Sequence, residues 1–137
     1  MLYLAAAISC WGLGAIFDKL VLKYLQPTHA FYLRLFVMII FFSLILLLRF
    51  QLTIQDIKMT PFHAYIYTFL GVFMAMSGVF AYLKAMSVGE ASKIVPISST
   101  YPLITLIIAV IFLGESFTLT KFFGTLLIVA GIYFVSK

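Results

Sequence analysis

One cysteine, four acidic residues and four prolines in 137 positions leave little of what a soluble enzyme is built from. Cys10 stands alone, so the chain holds no disulfide and no cysteine-based zinc site of its own. Charged residues make up 9% and apolar ones 65%, against about 25% and about 45–50% in soluble globular domains. The mean hydropathy is +1.21. Such a chain can satisfy neither an aqueous surface nor a disordered state, and the solvent it fits is a lipid bilayer. No polar stretch is long enough for a separate aqueous domain, which excludes enzymes that carry their active site in one. Ser-His-Asp, paired-carboxylate and glycine-rich phosphate patterns are absent, and His29 and His63 have no carboxylate at ligand spacing. No metal, no cofactor and no enzymatic activity are therefore expected.

The net charge of +5 arises from nine Lys and Arg against four Asp and Glu. These bases are scattered singly at segment ends rather than clustered, so nucleic-acid binding is not expected, and anionic lipid headgroups suffice as partners.

Five apolar segments emerge between charges, prolines and polar clusters: residues 2–25, 30–50, 62–83, 94–113 and 122–135. The connections are Gln26–His29, Gln51–Pro61, Lys84–Lys93 and Gly114–Lys121, all short enough to force antiparallel, side-by-side helices. These features predict an all-α, polytopic integral membrane protein of five transmembrane helices in a single domain, 1–137. Thr60-Pro61 reads as a helix start, and Gln51–Met59 alternates polar and apolar in the manner of a short interfacial helix. The fifth segment reaches spanning length only if it runs from Thr118 to Lys137, with Lys121 and Lys137 snorkelling to opposite interfaces. Met1–Phe17 has no basic start and no small-residue cleavage site before Asp18-Lys19, so it reads as a mature helix rather than a secretory signal.

Five helices put the termini on opposite sides. One side collects Arg49, Lys58 and Lys121, the other Lys19, Lys23, Arg34, Lys84, Lys93 and Lys137. Setting aside Lys19, Arg34 and Lys84, which lie inside apolar segments, leaves a balance of Arg49, Lys58 and Lys121 against Lys23, Lys93 and Lys137, compatible with insertion in both orientations.

Charge inside the membrane is costly and faces a bundle interior or a wet cavity, which singles out Asp18, Lys19, Arg34 and Lys84. Trp11, Gly14, Asp18 and Leu22 share one helix face. Two readings stand side by side. Asp18 or Lys19 lines a polar cavity and meets substrate or a coupling proton, or the two mark the interface end of the first helix, with Lys19 snorkelling and Asp18 paired to Lys23 or Arg34. Arg34 carries the same alternative. In the fourth segment Pro102 removes the N–H partner of the Ser98 carbonyl and favours a kink beside Ser98, Ser99, Thr100 and Tyr101. Those groups either line an aqueous path or bond back to carbonyls of their own helix. Of the eight tyrosines, Tyr82 and Tyr101, near polar residues, are the ones that join the cavity candidates. Gly71-x-x-x-Ala75, Ser77-x-x-x-Ala81 and Gly124 with Gly131 permit close helix approach or a dimer seam. Glu115 suits a structural place before a helix start.

The run Ala85-Met86-Ser87-Val88-Gly89-Glu90-Ala91-Ser92-Lys93-Ile94-Val95-Pro96-Ile97, then Tyr101-Pro102-Leu103, Phe112-Leu113-Gly114-Glu115 and Gly124 with Gly131, resembles the second part of an EamA domain of the drug/metabolite transporter superfamily. Trp11-Gly12 with Lys19, and Arg34, resemble its first part. Most such proteins carry two of these domains as an inverted repeat, and this chain resembles the small single-domain subgroup. The resemblance implies a homodimer, antiparallel, or a paired homologous chain, in the cell (inner) membrane. The function expected is export or exchange of a small polar metabolite or drug-like solute by alternating access. The expected substrate-binding residues are Trp11, Lys19, Arg34, Tyr82, Ser98, Ser99 and Tyr101, with Asp18 and Glu90 as proton-coupling candidates and Pro102 as the deformable kink. The rival is a non-transporting membrane subunit, an assembly or lipid-handling partner, whose polar residues knit helices together.

Overall fold

A bilayer interior offers no water to the backbone, so an apolar chain must satisfy its peptide groups within helices. The computed structural model describes residues 2–136, excluding the side chains of Leu2, Leu52, Thr53, Asp56 and Ser136. The expectation for Lys137 falls outside that range. Seven helices follow in order: α1 (Leu2–Val21), α2 (Pro27–Leu48), α3 (Phe50–Met59), α4 (Phe62–Val88), α5 (Ala91–Ser98), α6 (Tyr101–Phe112) and α7 (Leu119–Ser136), with no strand among the described residues. Four stretches are long and apolar enough to cross a membrane, Tyr3–Val21, Pro27–Leu48, Phe62–Val88 and Ala91–Phe112, and Leu119–Val135 is a shorter fifth. The architecture is that of an all-α polytopic membrane protein.

Element boundaries differ from the sequence expectation for local reasons. Helix α2 starts at Pro27 rather than Ala30, because proline at the first helical position is already set to helical φ and Gln26 enters it extended (φ −65°, ψ 151°). Helix α4 continues beyond Leu83 to Val88, so the connection expected over Lys84–Lys93 shrinks to Gly89 and Glu90. Ala85 and Met86 are good helix formers, and Leu83 and Met86 are the most deeply buried side chains described, at 2% and 0% exposure. Burial and propensity thus carry the helix through the charge at Lys84, whose ammonium sits 4.6 Å from the centre of the Phe80 ring.

The fourth apolar segment is divided. Pro96 lies inside α5 and Pro102 in the first turn of α6. Each removes one i to i−4 hydrogen bond, leaving the Ser92 and Ser98 carbonyls without that partner, and the helix parts at Ser99–Thr100 between them. Gly114 has φ +66°, and the Glu115 N–H returns to the Ala109 carbonyl at 3.2 Å, which folds the chain over the end of α6. Thr118 then opens α7, its Oγ1 accepting from the Lys121 N–H at 3.2 Å.

The described contacts form two compact units. One holds Met1–Phe17 with Val88–Lys137, where α5 packs on α7, and the other holds Asp18–Ser87. In the second unit Phe31 of α2 meets Phe80 of α4 edge to face at 5.1 Å. Gly71, Gly78, Gly124 and Gly131 do not mark close helix approaches within the chain, since a Cβ at any of them meets nothing within 4 Å. Substituting Gly114→Ala forces a side chain into the left-handed region and is expected to cost about 1–2 kcal/mol. Gly71→Ala, in mid-helix and facing open space, is expected to add roughly 0.5–1 kcal/mol to a single chain. Thermal unfolding of both variants in detergent checks the contrast.

Candidate functional site

Asp18 and Lys19 are consecutive near the end of α1, so their side chains leave the helix about 100° apart and reach different neighbours. Asp18 faces α2. Its two carboxylate oxygens accept from Arg34 Nη1 at 2.8 and 2.9 Å, and the two side chains are 21% and 38% exposed. Lys19 faces α4, where Nζ donates to the Met86 carbonyl at 2.7 Å. That carbonyl belongs to the last turn of α4, whose carbonyls lack partners along the helix, and a cation there also meets the negative end of the helix dipole. With the Phe31–Phe80 contact, α1 is tied to α2 and α4, and α2 to α4.

A cavity of about 240 Å³ opens beside the ion pair, lined by Asp18, Val21, Ala30, Leu33, Arg34, Val37, Met38 and Leu83. Two charged side chains thus enter an otherwise aliphatic pocket. Of the residues expected from sequence, Asp18 and Arg34 line it. Tyr82, on α4, lies within electrostatic reach of both. Lys19 is in the same unit but engaged with Met86. Of the two partners considered for Asp18, Arg34 is the one it binds.

The remaining expected residues belong to the other unit. Trp11 is exposed on α1. Ser98 and Ser99 donate to the Val95 carbonyl at 2.8 and 2.9 Å, and Thr100 to Ile97 at 2.9 Å. These bonds consume the hydroxyl hydrogens, and the oxygens keep lone pairs for other donors. Tyr101 and Pro102 line an open groove of about 500 Å³ between α6 and α7, with Thr105, Thr120, Lys121 and Thr125 among its polar members. Glu90 precedes α5, exposed, and its carbonyl accepts from Lys93 and Ile94. Glu115 stands 3.7 Å from Lys121, an exposed pair at the entry to α7. Sequence reasoning missed the Met86 carbonyl as the partner of Lys19, because no side-chain pattern announces a backbone acceptor. The aliphatic lining from Val21 and Leu83 was missed too, hidden in uniformly apolar runs.

Apolar spans with a charge pair set in a pocket between them define a multi-pass membrane protein with a polar site among its helices. The model of the EamA-like transporter family matches residues 1–137, and the chain belongs to that family. It is also similar to an uncharacterized protein of Methanocaldococcus jannaschii, 31% identical over 126 residues that cover 92% of this chain and 88% of the relative. No solved structure matches the chain.

Removing one member of the pair strands the other in an apolar setting. Asp18→Asn and Arg34→Gln should each cost about 1–3 kcal/mol. The double variant should cost less than the sum of the two, because the uncompensated charge is gone. Thermal unfolding of the four proteins in one detergent gives the coupling, and additive losses would dissolve the pair as a unit.

Proposed function

We propose that the chain is a transporter of a small polar metabolite or drug-like solute, an exporter or exchanger that works by alternating access as a dimer. The observation that carries this is the Asp18–Arg34 pair lining a pocket between apolar helices in a member of a transporter family. Charge within a membrane span is retained where it meets a solute, an ion or another charge, and a 240 Å³ space beside it accepts a solute. The residues that bind solute are Lys19, Arg34 and Tyr82 in this unit and Trp11, Ser98, Ser99 and Tyr101 in the other. The serine oxygens act as acceptors, and the interruption at Pro102 supplies a segment that bends without losing further backbone bonds. Asp18, rather than the exposed Glu90, is the proton partner, since a carboxylate bound to Arg34 changes the local charge when it takes up a proton. The chain works as a homodimer, antiparallel, or with a paired homologous chain, in the cell (inner) membrane. Its balanced loop charges permit both orientations, and Gly71, Gly124 and Gly131 offer faces on which a second helix can seat closely.

In liposomes carrying the purified protein, Lys19→Ala and Arg34→Ala are expected to slow solute movement at least tenfold, and wild-type rates in both would overturn the assignment. Cysteine at Ser98 or Tyr101 in a Cys10→Ser background should react with a polar, membrane-impermeant thiol reagent. Inertness at both would favour a subunit whose polar residues serve only to join helices. Paired reporter fusions at Met1 and Lys137 should report both orientations of the chain, and a single orientation would remove the antiparallel homodimer.

A further inference from the structure

The pocket between α1, α2 and α4 combines three properties that narrow what it can hold. Its polar end consists of one carboxylate and one guanidinium already bound to each other, Asp18 and Arg34, with Nη1 shared between both carboxylate oxygens at 2.8 and 2.9 Å. Its walls are Val21, Ala30, Leu33, Val37, Met38 and Leu83, with no further charge. Its volume, about 240 Å³, suits a compact solute with a short chain rather than a lipid tail. We propose that this pocket takes a small monocarboxylate with a short aliphatic tail, whose carboxylate replaces that of Asp18 on Arg34 as Asp18 takes up one proton. This names the substrate class of the transporter reading and rests on it.

Charge balance governs what can enter. The empty pocket holds one negative and one positive side chain, a net charge of zero. A carboxylate entering alone would leave two anions facing one guanidinium in apolar surroundings, a costly state. If one solvent proton bonds to a carboxylate oxygen of Asp18, the ion pair with Arg34 is lost and the neutral acid holds the guanidinium only weakly. The guanidinium then forms the equivalent bonds with the incoming carboxylate, and the pocket returns to zero with solute, proton and Arg34 in place. Arg34 suits the exchange because a guanidinium grips any carboxylate through the same planar donors and never loses its own charge. A dianion would leave an excess charge, and a cation would find Arg34 in its way. The other groups facing Asp18 do not replace the proton. Lys19, its neighbour on α1, donates to the Met86 carbonyl, and the Tyr82 phenol of α4 is neutral at physiological pH. Loaded and empty pockets therefore carry the same charge, and the movement of one proton with one anion is electrically silent.

The test uses the full chain in lipid nanodiscs and three probes that share an isobutyl group. These are α-ketoisocaproate (an anion that stays ionised near neutrality), leucine (a zwitterion) and isoamylamine (a cation), with empty nanodiscs as blank. Calorimetry in two buffers of different protonation enthalpy reads the protons taken up on binding. The expected result is that α-ketoisocaproate binds with one proton taken up per anion. Its affinity should fall about tenfold per pH unit where Asp18 is ionised, as one-proton linkage requires. Asp18→Asn should bind the anion with no proton uptake and a flat pH profile, and Arg34→Gln should lose binding at least tenfold. Should Arg34→Gln fail to fold, the wild-type proton count and Asp18→Asn decide. Equal or tighter binding of leucine, binding of isoamylamine, binding of the anion without a proton, or binding of none of the three overturns the proposal. Vesicle uptake separates it from the transporter reading. Movement of other solutes without anion binding sinks the pocket assignment alone, and proton-linked binding without uptake into vesicles sinks the transporter alone.

Discussion

In a helix with almost no charge, two adjacent ionised residues at its last turn determine what that turn must touch. Asp18 and Lys19 cannot both face one partner, because a 100° step separates them, and neither can be left to lipid. The unit of Asp18–Ser87 resolves this by giving the carboxylate to a side chain, Arg34, and the ammonium to a backbone group, the Met86 carbonyl. The two solutions differ in kind. A carbonyl of the final helical turn is an acceptor that any α-helix end must supply, so the Lys19 contact fixes position with little demand on sequence. The Asp18–Arg34 contact depends on two specific side chains, and it is the one that lines a cavity. Position and chemistry are thus divided between neighbours in the chain.

The division of the fourth apolar segment is a second case of backbone groups put to use. Two prolines, six residues apart, each free one carbonyl, and the two short helices between which the chain turns hold three hydroxyl residues at the break. Those hydroxyls donate back into α5, so the break is internally satisfied in its donors and open in its acceptors. An interruption of this composition can bend without stranding an N–H group in hydrocarbon, which an uninterrupted helix cannot do.

The helices were legible in the sequence because apolar run length decides them, and Thr60-Pro61 marked the start of one with a known mechanism, whereas the start at Pro27 and the end at Val88 were not placed. One expectation erred at Lys84, read as the end of a span although the helix passes through it. A cation on a helix can lie over an aromatic ring one turn away, and a hydropathy reading does not register that. The members of the candidate site were legible as charges that did not belong in lipid, and the pairing of Asp18 with Arg34 stood among two alternatives. What could not be read was the company they keep. Leu83 and Met86 look like any other residues of α4, yet they are the most buried, and the small-residue stripes at Gly71 and Gly124 look like contact faces yet meet nothing in the chain. Periodicity separates a helix face from its opposite only when one face is polar, and these helices are apolar all round.

Helix length carries a consequence of its own. At about 1.5 Å per residue, the 27 residues of α4 extend about 40 Å, while the 18 of α7 extend about 27 Å, on either side of a hydrocarbon layer of about 30 Å. No single bilayer fits both without tilt in one and local thinning at the other. Bilayer thickness is therefore an input to this protein. A thicker membrane relaxes the tilt demanded of α4 while raising the strain at α7, a thinner one does the reverse, and the lipid around the molecule acts as a variable that biases which arrangement of its helices is the resting one.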